Sequence, residues 1–402
     1  MILRNFWGIK LILLCAVLVV CVPLASSAYA SGSKDDIFTR FKKPMPELKL
    51  LSEEDFRKAT RPMKKKPYGQ DVLEYTIRIP KGWVEPEDRG SSNFVLNKKL
   101  FLELNVFYGK PTPSGRSRIE VEAFDLAGNL TTEQWYLNYI LKRGYTTEGF
   151  VTHSENKMES LIVSVEKDYT YYVRTVAIAN GDKVIMVKYF VPLYYMNKQA
   201  PMQEQVLKSF KIVNNIERPP SEMSLYRFLD VAELKYPSSW TVYAKPLRNV
   251  DRMDVSLLNL REVAGKLGER PSVFTEGKLE VSVIAASAHE TLIDEVSKYR
   301  QKIEASGMLI GDKLETKDEL IYNENLDFAI TEVYEGVDTT NNLSNYELWF
   351  TVGVGGNYYY LFMLTTASRN DRFGIWAENT QNYKVILENF RPMPGAFLDR
   401  NY

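Results

Sequence analysis

YTIRIPKGWV, residues Tyr75 to Val84, and ELKYPSSWTV, residues Glu233 to Val242, read as one phrase written twice. In the first, Tyr75, Ile77 and Ile79 alternate with Thr76 and Arg78, the two-residue period of a half-buried strand. In the second, Leu234 and Tyr236 alternate with Glu233 and Lys235. Each run stops at a proline, Pro80 or Pro237, which cannot donate to a sheet ladder. Trp83 and Trp240 follow at the same distance, 157 residues apart.

Later features recur in the same order. Ile119, Val121 and Ala123 alternate with Glu120 and Glu122, and 160 residues on Leu279, Val281 and Val283 alternate with Glu280 and Ser282. A helix is predicted after each strand. The first is capped at Thr131 or Thr132, runs through Leu137, Ile140 and Leu141, and stops at Gly144. The second has Leu292, Val296, Tyr299 and Ile303 on one face and stops at Gly307. Hairpins are predicted to turn at Asn180-Gly181 and Gly355-Gly356, dipeptides that accept positive φ. Both series close with a helical stretch ending in an aromatic, MQEQVLKSF to Phe210 and NYKVILENF to Phe390.

The ends and the joint set the boundaries. Arg4 and Lys10 precede an apolar run, Leu11–Val22, and a small-residue stretch closing at Ala28-Tyr29-Ala30, the layout of a secretory signal cleaved after Ala30. The run is too short to span a bilayer, and a lipid-modified Cys21 is the alternative anchor. Cys15 and Cys21 both fall in that segment, so residues 31–402 carry no disulfide or thiolate chemistry. Lys and Arg number 51, as do Asp and Glu, a balance that does not point to nucleic acid. Residues 31–70 carry 11 basic against 6 acidic side chains, including Lys64, Lys65 and Lys66, with a short helix capped at Ser52. This basic arm is expected to be a solvated lead-in, with docking to a membrane surface or acidic partner as its sharper use. The reading is therefore 1–30 signal peptide, 31–70 arm, 71–215 first repeat, 216–225 linker with Pro219-Pro220, 226–393 second repeat and 394–402 tail.

The order strand–Pro–Trp, meander, helix, hairpin and C-terminal helix resembles the PsbP/Mog1-like α/β sandwich, including bacterial envelope domains of the DcrB type. The resemblance rests on IPKGW with LKSF and on YPSSW with LENF. It implies an α+β chain of two tandem antiparallel-sheet-plus-helix domains. It also implies adaptors, assembly factors and accessory subunits, with no catalytic motif to carry across.

The residue chemistry agrees with a non-enzyme. There is no HExxH, G-x-S-x-G or phosphate-binding loop, and GVGG at Gly353–Gly356 sits in a hairpin where a nucleotide fingerprint needs a strand-to-helix turn. His153 and His289 read as solvated loop residues, and Glu120 with Glu122 as a solvated outward pair. The sequons at Asn129 and Asn342 read as chance patterns, and Tyr402 does not make a barrel of a chain with capped helices. Adjacent tyrosines, Tyr171-Tyr172, Tyr194-Tyr195 and Tyr358 to Tyr360, suggest partner surfaces, since strand neighbours face opposite ways. The expected function is a non-catalytic periplasmic interaction module, an accessory of an envelope assembly such as a secretion or transport apparatus. A small-ligand or lipid carrier is the alternative, and an unrecognised hydrolase ranks below it. The expected binding residues are Tyr189, Tyr194 and Tyr195, within YFVPLYYM, together with Lys64, Lys65 and Lys66. No cofactor, catalytic residue or metal site is expected, and the expected partners are envelope proteins or a large assembly of them, and not nucleic acid.

Overall fold

The computed structural model describes residues 37–41, 43–86, 101–126, 128–244, 251–263, 271–286, 291–317, 326–340 and 344–397. The signal segment with both cysteines, His289, Asn342 and Tyr402 lie outside them. The first half contains α1 (Ile37–Phe41), α2 (Glu53–Ala59), β1 (Thr60–Lys65), β2 (Tyr75–Pro80), β3 (Phe101–Thr112) and β4 (Gly115–Asp125). It continues with α3 (Thr132–Arg143), β5 (Thr146–Ser154), β6 (Lys157–Glu166), β7 (Tyr169–Asn180), β8 (Lys183–Pro192), α4 (Met196–Lys208) and β9 (Lys211–Ile212). The second half contains β10 (Met223–Phe228), β11 (Ala232–Pro237), β12 (Thr241–Ala244), β13 (Arg252–Val263) and β14 (Ser272–Ala285). It ends with α5 (Leu292–Ala305), β15 (Met308–Lys317), β16 (Phe328–Asp338), β17 (Ser344–Gly355), β18 (Tyr358–Ala367), α6 (Phe373–Glu388) and β19 (Arg391–Pro392).

Each half has one large and one small antiparallel sheet. The large sheets run β3-β4-β8-β7-β6-β5 and β12-β13-β14-β18-β17-β16-β15, and the small ones β1-β2-β9 and β10-β11-β19. Apart from β12, whose place in the first half is taken by a single Val84–Tyr108 bridge, the neighbours correspond strand for strand. The chain is α+β.

Burial sorts these elements into layers. One face of the six-stranded sheet, with Ile119, Val121, Ile185 and Val187, packs against Val206 and Leu207 of α4 and Ile77 and Ile79 of β2. Its other face, with Ile162, Val173 and Met186, packs against Tyr136, Leu137 and Ile140 of α3. That core runs on without a break into Phe373, Trp376 and Tyr383 of α6 and the strand residues Val281 and Leu364. The outer face of the seven-stranded sheet meets Leu292, Tyr299 and Ile303 of α5. The layers thus follow the order α4, six-stranded sheet, α3, α6, seven-stranded sheet, α5. At the joint Phe38 meets Phe373 and Trp376 edge-on at 5.7 Å each. Gly374 lets α6 lie on α3: a Cβ there would stand 2.6 Å from the Asn138 Oδ1.

Local signals act as their chemistry dictates. Thr131 and Gln134 form a capping box on α3, and Gly144 closes it in the left-handed conformation at φ 64°. Ser52 caps α2 by accepting from the Asp55 amide. Phe210, Phe390 and Trp240 are buried, whereas Trp83 is half-buried against Tyr189 at 5.2 Å.

Three expectations are corrected. Residues 60–65 are not part of a solvated arm: they form β1, paired antiparallel with β2 from Thr60 opposite Pro80 to Lys65 opposite Tyr75. The partner strand supplies the order that TRPMKK lacks in its own pattern. The hairpins turn one residue late, at Gly181-Asp182 and Gly356-Asn357, because Asn180 pairs with Lys183 and Gly355 with Tyr358. Asn180 is instead drawn inward, its amide donating to Val72 O (2.8 Å) and Asn214 O (3.0 Å). Finally, Pro394–Phe397 is not a loose tail but a turn whose Ala396 carbonyl accepts from the Asn357 amide at 2.8 Å.

Candidate interaction surface

The predicted binding residues fall in the α4 layer and separate there. Tyr189 is 1% exposed, so it is core and not contact surface. Its strand is covered by α4 on one face and α3 on the other, so no residue of β8 from Val184 to Pro192 reaches solvent. The exposed part of YFVPLYYM is its end, a 3-10 turn at Leu193–Tyr195 leading into α4. Leu193 is 51% and Tyr194 79% exposed, with the Tyr195 ring edge-on to Tyr194 at 5.0 Å.

The lysines lie towards the other end of α4, roughly 17 Å away at 1.5 Å per helical residue. Each has an acidic partner: Lys64 with Glu74 (2.7 Å), Lys65 with Glu85 (2.7 Å) and Lys66 with Asp71 (2.6 Å). Residues 43–51 join the two ends as an extended strap. Lys43 O accepts from the Phe150 amide at 2.8 Å, tying the strap to the free edge of β5. At the other end the Gln205 side chain clasps the Leu51 backbone, accepting from its amide at 3.2 Å and donating to its carbonyl at 2.9 Å.

Two clefts flank this strap. One, of about 710 Å³, is lined by Pro46, Leu48, Tyr172, Leu193, Met196 and Pro201 among others. The other, of about 850 Å³, lies between α2, the small sheet and the end of α4. Sequence reasoning missed the strap because its hold on the domain comes from two backbone clasps and not from an apolar period.

The polar clusters inside the half are structural. Glu120 and Glu122 are not a solvated pair: Lys188 bridges them at 2.8 and 2.7 Å under α3. Burial disfavours the charge on Glu120, but Lys188 and Arg118 outweigh it and hold the carboxyl below its ordinary range. Burial dominates at Glu122 and pushes its carboxyl up. His153 lies at the end of β5, not in a loop, and contacts Glu159 at 2.7 Å. Glu159 meets Arg174 at 2.6 Å, and Arg174 meets Glu204 at 2.8 Å. These carboxylates are committed to cations. Among the described residues no cluster of three or more His, Cys, Asp or Glu is arranged to hold a metal.

No protein-family model and no curated protein matches the sequence. Among solved structures the chain is similar to the Ran-binding protein Mog1p of Saccharomyces cerevisiae (12% identity, 39% of this chain, 97% of that one, TM-score 0.27). It is similar to the PsbP protein CyanoP of Synechocystis (12% identity, 38% of this chain, 93% of that one, TM-score 0.29). It is also similar to TplEi, a T6SS immunity protein of Pseudomonas aeruginosa (11% identity, 80% of this chain, 95% of that one, TM-score 0.19).

Proposed function

We propose that the chain is a non-catalytic interaction module of the bacterial periplasm, built from two tandem PsbP/Mog1-like domains and serving as an accessory subunit of an envelope assembly. The observation that carries this reading is the α4 layer. It is an outer face with two clefts, a solvent-facing strap and the exposed side chains Leu50, Leu51, Leu193 and Tyr194. Exposed side chains grouped in this way suit a protein partner, because tyrosine joins an apolar ring to a polar tip and the leucines beside it add apolar area to bury. The signal layout at residues 1–30 supports delivery through the inner membrane with cleavage after Ala30.

The test is gentle extraction followed by size fractionation, comparing wild type with the Tyr194→Ala, Tyr195→Ala double variant. Tyr194 lies outside the cores, whereas Tyr195 is half-buried against the α4-side core, so Tyr194→Ala alone is the control that leaves the packing intact. Migration with a large assembly, lost in the double variant at unchanged melting temperature, is the expected result. A lone monomer in every extract contradicts the reading. The TplEi likeness suggests including T6SS components when the co-migrating species are identified.

A further inference from the structure

We infer that the cleft between α2 and the end of α4 takes an acidic segment of the partner protein that also carries apolar side chains. This rests on the interaction-module reading and adds the chemistry of what is bound. The floor of the cleft is apolar: Phe56 is 5% and Ile77 1% exposed, with Met63 half-buried beside them. Its rim carries two cations with no acidic partner among the described residues, Arg78 and Lys211. Arg78 is held by neutral acceptors alone. Its Nε donates to Thr60 Oγ1 at 2.8 Å, and its Nη2 donates to Thr60 O at 3.3 Å and Arg57 O at 3.4 Å. The guanidinium is thereby fixed over the Phe56 ring at 5.8 Å, set in place with its charge uncompensated. Lys211 stands exposed on β9 opposite Thr76.

A fixed guanidinium beside an apolar floor favours a carboxylate flanked by leucine or phenylalanine, since the pair gains strength as the floor excludes water. A membrane surface is a poorer fit. Lys64, Lys65 and Lys66 already face Glu74, Glu85 and Asp71, and their charge is largely cancelled before any lipid arrives. The cleft volume of about 850 Å³ lies within the range of sites that enclose a compact ligand, so a short segment suffices.

The experiment uses the secreted chain and a fluorescein-labelled synthetic peptide alternating glutamate with leucine and phenylalanine. A control peptide carries glutamine for glutamate, and phosphatidylglycerol vesicles form a third arm. Fluorescence anisotropy at low salt should show the acidic peptide binding at least about tenfold tighter than the control. Lys211→Glu should weaken it by about tenfold or more at unchanged melting temperature. Arg78→Gln should weaken it too, but Arg78 also holds the end of α2, so Lys211→Glu is the deciding variant. Equal binding of the two peptides, or indifference to Lys211→Glu, overturns the inference. So does binding to vesicles in place of peptide. Co-migration of wild type and Lys211→Glu alike with a large assembly would remove this inference while leaving the interaction module standing.

Discussion

Helices α4 and α6 hold corresponding places, each following the last long strand of its half and ending before a buried phenylalanine, Phe210 or Phe390. Their surroundings differ completely. Of α6 only Glu388 is exposed, because α3 and α1 lie over the face turned away from its own sheet. On that face Asn382 Oδ1 accepts from Asn129 of the first half. Asn379 turns the other way, its amide donating to Glu276 O and Thr366 Oγ1 of the seven-stranded sheet. Helix α4 turns Asn197, Lys198 and Lys208 to solvent and, among the described residues, is crossed only by the strap. The lesson is that one fold position can be spent on joining the halves or kept as a surface. The same contrast separates α3 from α5. Asn138 and Leu141 of α3 correspond, 160 residues on, to Lys298 and Gln301 of α5, which face solvent or its margin.

The sharpest way to break this contrast is to loosen α6. The Glu347 carboxylate accepts from Arg369 Nε (2.7 Å), Trp376 Nε1 (2.7 Å) and Trp349 Nε1 (3.2 Å), and it is 2% exposed. Glu347→Ala leaves two buried indole donors unsatisfied and Arg369 with Glu315 as its remaining carboxylate, and about 3–5 kcal/mol should be lost in denaturant unfolding. A loss below about 1 kcal/mol would show that α6 is held by packing alone. Gly374→Val forces a branched side chain into Asn138 and should cost about 1–3 kcal/mol, with faster hydrogen exchange at the joint of the halves.

Acid should act on the charge clusters of both halves. Glu120, Glu159, Glu280 and Glu315 have carboxyls held below their ordinary value of 4.5: burial opposes the charge at each, and neighbouring cations outweigh it. Their stabilisation is therefore present above about pH 4.5 and is lost as pH falls through the depressed values. Glu122 works in the opposite sense, because burial raises it, and it offsets part of the loss. A melting temperature that falls from pH 5 to pH 3, less steeply in Lys188→Met than in wild type, is the expected outcome.

The smallest effect belongs to the strap. Gln205→Ala removes both bonds to the Leu51 backbone and should cost about 1 kcal/mol or less globally. It should nevertheless speed tryptic cleavage after Lys49 severalfold, since the opening is local. Unchanged cleavage would mean that the apolar contacts of Leu48 and Leu50 hold the strap without the clasp.

The elements with a local code were legible in the sequence. Alternation located β2, β4, β11 and β14, and cap chemistry located both ends of α3. Features whose order comes from distant partners were not. TRPMKK becomes β1 only because β2 offers it a ladder. The turn slips one residue past Asn180 because Val72 and Asn214 claim its side chain. The inward Tyr189 has the same origin: strand parity sends every second residue outward only when one face of the sheet is bare, and here helices cover both. Of the candidate surface, Tyr194 and Tyr195 were legible as adjacent tyrosines at a strand end, whereas the strap and the cleft cations were not.

The most direct test places a photo-crosslinking amino acid at Tyr194, on the α4 layer, or at Lys298, on the exposed side of α5, in cells making the full chain. The account predicts a discrete higher-mass adduct from position 194 and none from position 298. Adducts from 298 alone, or from neither position at full expression, would contradict the claim that the α4 layer is the surface kept for a partner.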